Sequence, residues 1–190
     1  MPLFTLWEIF DIIIMTIVVG YIFSGVFRKP SFDDYDPIKH FKKGIDFTDL
    51  KFAVLVTAPG IILHEMGHKF VALALGLSAT FKAAYTFLAL GVLLKLMSFP
   101  FIFFVPAYVS IIGQATALES FMIAFAGPAV NLVLWLGSLA AMKARLIPKK
   151  WNPVLLLTSR INMFLFIFNM LPIPGFDGNK VFMGLIGAFF

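Results

Sequence analysis

The chain has no cysteine, so neither disulfides nor thiolate metal sites are open to it. It is also short of charge: 13% of its 190 residues are Asp, Glu, Lys or Arg, while 61% are hydrophobic. A chain of this size cannot hide so much apolar surface in one water-soluble core, so its solvent is expected to be lipid. It contains only three His and three Glu, and after residue 119 a single acidic residue, Asp177. Places where these scarce groups gather are therefore informative. The net charge of +5 does not indicate nucleic acid, because the basic residues sit in loops between apolar runs, where they set topology or meet anionic lipid.

Five apolar stretches stand out: Ile9–Phe27, Phe52–Leu77, Phe87–Ile112, Phe121–Met142 and Pro153–Leu171. A helix needs about 20 residues to cross the hydrocarbon, and four of these read as ordinary spans. Glu8 and Asp11 stand where a secretory signal would carry positive charge, so the first is expected to be retained. The third stretch differs. The region 78–120 holds Lys82, Lys95, Pro100, Pro106, Gly113 and Gln114, and its end is rich in aromatic and β-branched residues. It is read as re-entrant, with strand-like segments near Ala79–Tyr85 and Phe101–Ile112 flanking a short helix, because non-helical backbone at membrane depth must be buried in protein or line a wet cavity. The basic loops 28–51 and 143–152 fall on one side of the membrane only if 78–120 turns back. The expected fold is an all-α integral membrane protein of about five to six transmembrane segments with this partly β insertion. It forms one domain over 1–190: a first span to 27, a polar linker 28–51, a core 52–180, and a partial or truncated helix 181–190.

The second span contains His64-Glu65-Met66-Gly67-His68. Two His at i and i+4 lie on one helical face and can hold one metal ion, while the Glu between them can reach an activated water as general base. His64 lies near the middle of its span, where ionisable groups are costly and usually functional. Catalytic zinc takes three protein ligands and keeps a fourth position open, so about one zinc per chain is expected. Without Cys, and with His40 in the polar linker, the third ligand is sought among carboxylates. Asp177 follows an apolar run broken by Pro172, Pro174 and Gly175, which lets it turn toward a neighbouring helix; alternatively it caps a short helix from Asn179 onward.

These segments resemble the site-2 protease family of intramembrane metalloproteases. The family's HExxH corresponds to His64–His68, its small-Gly-Pro-x-x-Asn motif to Ala126-Gly127-Pro128-Ala129-Val130-Asn131, and its Asn-x-x-Pro…Asp-Gly motif to Asn169, Pro172, Asp177 and Gly178. The resemblance covers about residues 52–180. Phe176 stands where the family usually has Leu, and Asn179 replaces a common second Gly. The resemblance implies that His64, His68 and Asp177 bind zinc, that Glu65 is the base, and that Asn169 lies by the site and positions substrate or steadies the reacting carbonyl. Asn131 carries two readings, an interhelical hydrogen bond or a functional contact. Arg160, Lys69 and Lys95 read as long side chains reaching a polar interface or cavity.

The function so implied is zinc-dependent hydrolysis of peptide bonds in transmembrane protein substrates, in a protein embedded in the bilayer. An exposed strand edge near Phe101–Ile112 could hold an unwound substrate. Two alternatives remain: a membrane metal transporter or sensor, and an inactive scaffold that binds transmembrane partners. The basic loops favour a cytosolic position for 28–51 and 143–152, which puts the re-entrant region outside, whereas the family resemblance favours an active site opening toward the cytosol. Orientation, oligomeric state and the particular substrate do not follow from the sequence.

Overall fold

The computed structural model describes residues 3–27, 46–99 and 105–189. Helix α1 (Leu6–Phe23) starts from a reciprocal cap, in which the Thr5 hydroxyl accepts the Glu8 N–H at 3.3 Å and the Glu8 carboxylate accepts the Thr5 N–H at 2.8 Å. Helix α2 (Phe47–Ala74) starts from Asp46, whose carboxylate accepts the Thr48 N–H at 2.8 Å. The end of the expected polar linker is therefore the beginning of a helix. Residues 28–45, with His40 and the basic residues Arg28, Lys29, Lys39, Lys42 and Lys43, lie outside the described residues.

At the end of α2 the backbone turns at Gly76, with φ +80°. The Gly76 and Leu77 N–H groups donate to the Leu73 and Ala72 carbonyls, each at 3.0 Å, which closes the helix and feeds the chain into a strand. Strand β1 (Ser78–Ala83), helix α3 (Tyr85–Leu96) and strand β2 (Ala107–Ile112) follow. The strands are antiparallel, with Ser78 opposite Ile112 and Ala83 opposite Ala107. The chain thus returns beside its point of departure from α2. The first strand ends before Tyr85, which opens α3. The second begins only at Ala107, after Pro106, which has no N–H for a ladder; residues 101–104 lie outside the described ones.

Helix α4 (Ala117–Lys143) begins with a second reciprocal cap, Thr116 with Glu119. A 3-10 turn at Lys149–Trp151 leads into α5 (Asn152–Asn169), which stops before the Pro172–Gly175 break, and α6 (Asp177–Phe189) follows. Among the described residues, four helical segments are long and apolar enough to cross a membrane: α1, α2, α4 and Lys149–Asn169. Against the expected five to six, α3 and α6 are apolar but have 12 and 13 residues, short of the roughly 20 a crossing needs.

Helix α4 is central and packs on α2, α5 and α6. The sheet lies between α1 and α2, where Met15 and Val19 of α1, Met66 of α2, Phe81 of β1 and Leu88 of α3 form one apolar cluster. Lys95 of α3 donates to the Tyr21 and Ser24 carbonyls and the Ser24 hydroxyl, closing the C-terminal end of α1. Burial pushes its ammonium below the usual lysine pKa. The outward faces are apolar, with Trp7 80% and Val133 69% exposed, a surface suited to hydrocarbon rather than water.

Candidate metal centre

His64 and His68 are one turn apart on α2 and face α4, in the buried interior of the helices. Their proximity to α4 depends on Gly127. A Cβ at that position would overlap the His68 ring and stand 2.8 Å from Cε1 of His64. Gly67 does the same from the other side, since a Cβ there would stand 2.8 Å from the Ala126 carbonyl oxygen. The histidines therefore sit where α2 and α4 approach most closely.

Each imidazole has its Nδ1 held by an oxygen that can only accept. His64 Nδ1 lies 2.5 Å from Asn131 Oδ1, and His68 Nδ1 lies 2.7 Å from the Ile123 carbonyl. Nδ1 therefore carries the proton in each ring and Nε2 presents a lone pair. Both Nε2 atoms point to one place, 3.1 Å apart. Asp177, at the first position of α6, brings Oδ2 to 3.1 Å from His64 Nε2 and 3.2 Å from His68 Nε2. Three lone-pair atoms this close repel one another unless a cation lies among them. Ligands about 2.0–2.1 Å from a tetrahedral zinc stand about 3.3 Å apart, so this donor set fits zinc in both chemistry and spacing.

Asn131 is fully buried and its orientation is determined by its partners. Its Nδ2 donates to the Gly60 carbonyl at 3.1 Å and to Asn162 Oδ1 at 2.8 Å, while Asn162 Nδ2 donates to the Thr158 carbonyl at 2.7 Å. Backbone carbonyls of α5 and α2 thus fix two side-chain amides, which present an acceptor to His64. Asn131 makes the interhelical hydrogen bond of its first reading, and through it orients the His64 ring. Asn162 was not singled out from the sequence. Its only signal there is being an amide in an apolar run.

The position of Asp177 depends on Gly178. A Cβ at that residue would strike the backbone of Met170 and Leu171, so α6 can begin against the end of α5 only with glycine there. Asp177 is therefore both the start of a helix and a member of the centre. His64, Glu65, His68 and Asp177 line one cavity of about 700 Å³, which is otherwise mostly apolar. Asn169, the last residue of α5, and Arg160 line it too, as does β2 from Ala107 to Ile111. Lys69 does not. It is buried on another face of α2 in an ion pair with Glu8.

Fold and centre together define a largely helical protein with a His-His-Asp cluster whose geometry suits a metal ion, placed among apolar helices. No protein-family model and no solved structure matches the chain. Similar proteins include one from Methanocaldococcus jannaschii named "Putative zinc metalloprotease MJ0611", 34% identical over 183 residues that cover 92% of this chain and 82% of the relative. Another, from Synechocystis, is named "Putative zinc metalloprotease sll0528"; it is 29% identical over 132 residues, 70% of this chain but 30% of the relative. The chain belongs to the zinc metalloprotease family of the archaeal relative.

Proposed function

We propose that the chain is an integral membrane zinc endopeptidase of the site-2 protease type, which hydrolyses peptide bonds of transmembrane substrates within the bilayer. The observation that carries this reading is the convergence of His64 Nε2, His68 Nε2 and Asp177 Oδ2 beside Glu65, in a mostly apolar cavity among helices long enough to cross a membrane. Zinc held by this triad would supply a Lewis acid and a water acidic enough to lose its proton near neutral pH.

The rest of the chemistry belongs to the chain. Glu65 is offset from the two His by about 100° around α2, so it is free of the ligand set while lining the same cavity. Its carboxylate takes the proton of the attacking water as the new C–O bond forms. It then delivers that proton to the amide nitrogen as the C–N bond breaks, leaving a carboxylic acid and an amine, between which the remaining proton of the water passes to give carboxylate and ammonium. Asn169 has an amide available to position the substrate or to steady negative charge on the reacting carbonyl oxygen. The substrate must reach this point with its backbone unpaired. Strand β2 has an edge along the cavity wall, and an unwound segment can add to it by main-chain hydrogen bonds.

A metal transporter or a scaffold would also keep buried ligands, but neither needs a carboxylate at Glu65. Glu65→Gln is therefore the discriminating variant. It should retain about one zinc per chain while cleavage of a model transmembrane substrate falls about 10²–10⁴-fold. His64→Ala should lose the metal in the same assay. Full zinc with undiminished cleavage in Glu65→Gln would remove Glu65 from the mechanism. Absence of zinc from the wild-type protein would overturn the metal site.

A further inference from the structure

Two acidic residues on α1 and one lysine on α2 take no part in the metal centre, yet they are among the most closely held charges in the protein. Glu8 and Lys69 are 2% and 1% exposed. Glu8 Oε2 accepts the Thr5 N–H at 2.8 Å, while Oε1 accepts both the Lys69 ammonium and the Phe81 N–H, the latter at 2.7 Å. One turn along α1, Asp11 Oδ2 accepts the Ala83 N–H at 3.1 Å and Oδ1 the Tyr85 hydroxyl at 2.5 Å. A buried ion pair is seldom the most stable choice for such a place, since apolar residues of similar volume often do as well or better. Its position is the more informative property.

Phe81 and Ala83 are alternate residues of β1, so their N–H groups point to the same edge. That edge is the one turned away from β2, because the next residue, Ala84, donates inward to the Pro106 carbonyl at 3.0 Å. By the same parity and the observed register, Thr80 and Lys82 bond to Ser110 and Tyr108. Ala107, Val109 and Ile111 then direct their backbone groups to the other edge of β2. No described strand pairs there, and these residues line the cavity of His64 and Glu65. A bare two-stranded sheet offers two edges to an incoming strand. Here the edge far from His64 is covered by carboxylates, and the edge beside His64 is left open by the described residues.

We propose that Glu8, held to α2 through Lys69, and Asp11 are positioning residues that block the β1 edge and commit the sheet to receive substrate along β2 alone. The inference rests on the strand-addition reading above. The block also ties β1 to α2 at Lys69, the residue after His68, which keeps the receiving edge in constant relation to the metal ligands.

The naturally cysteine-free chain permits a direct test. Single cysteines are placed at Lys82 of β1 or Tyr108 of β2, which face each other across the ladder, and a model transmembrane substrate carries one cysteine in its scissile region. A substrate strand on β2 would lie about 4.8 Å from the Tyr108 position and about 9.6 Å from Lys82. The expected result is disulfide crosslinking at Tyr108→Cys, with at least about tenfold less at Lys82→Cys. Adding Glu8→Ala and Asp11→Ala should raise the Lys82 yield to within about twofold of the Tyr108 yield, with zinc content retained as the measure of intact fold. If the double variant loses zinc, Asp11→Ala alone should shift the ratio in the same direction, and Asp11→Asn, which keeps an acceptor for the Ala83 N–H, should restore it. Equal crosslinking at both positions in the otherwise unaltered chain overturns the block and leaves strand addition standing. Crosslinking at neither overturns strand addition, and the block with it. An unchanged ratio in zinc-loaded Asp11→Ala also overturns the block.

Discussion

At the scale of single residues, the centre depends on which ring nitrogen carries the proton. Asn131 decides this for His64 because its own amide is oriented by the Gly60 carbonyl and by Asn162. Asn131→Ala would leave a buried imidazole N–H without an acceptor, at a cost of about 1–3 kcal/mol, and would let the ring turn. Loss of such a partner should weaken zinc binding about 10–100-fold, measured by competition with a metal-sensitive dye. Unchanged affinity would mean that α4 and Ile123 suffice to orient the pair. His64, Glu65 and His68 were legible from spacing because all three lie on a single helix. The role of Asn131 was only half legible, since a motif places an amide on a helix but does not say which face of the neighbour it meets.

At the scale of elements, the Gly127-Pro128 step of α4 is the clearest case of local sequence serving the site. Pro128 has no N–H to donate to the Ala124 carbonyl, and in the same turn the Ile123 carbonyl accepts from His68. Gly127 leaves the space that the two rings occupy. Gly127→Ala should therefore abolish stoichiometric zinc while leaving helix content by circular dichroism within about a tenth of wild type, because only a local overlap is introduced. A variant with one zinc per chain would show that α4 can retreat from α2 without cost. The helices themselves, and the partly β region between α2 and α4, followed from apolar run lengths and from the Pro and β-branched residues of 78–112. Their boundaries did not. Asp46 and Tyr85 start helices inside segments that composition assigns to linker and strand, since a cap or a turn outweighs composition over a few residues.

At the scale of the whole molecule, the proposed transmembrane substrate would have to present an unpaired carbonyl to a cavity about 700 Å³ in volume. A helix in hydrocarbon keeps its backbone bonded internally, so unwinding carries a cost that the β2 edge offsets only in part. Gly or Pro placed at the scissile region of a model substrate lowers that cost, by about 1 and 3 kcal/mol relative to Ala. Initial rates should rise about fivefold or more for either substitution. Rates indifferent to both would place unwinding outside the slow step and weaken the strand-addition reading.

The sequence by itself determined a largely apolar chain, the four long apolar runs that became its long helices, and two His and one Glu on one helix, because run length and the 3.6-residue period are local properties. It also pointed to Asp177 as the candidate third ligand, with a helix cap as the alternative, through the scarcity of acidic groups after residue 119. Only the tertiary structure decided that Asp177, 113 residues beyond His64, reaches it, that Asn162 stands behind Asn131, and that Glu8 and Asp11 cover the far edge of the sheet. These contacts depend on how closely and at what angle helices pack. Those quantities follow from small residues such as Gly127 and Gly178 meeting partners that no spacing along the chain specifies.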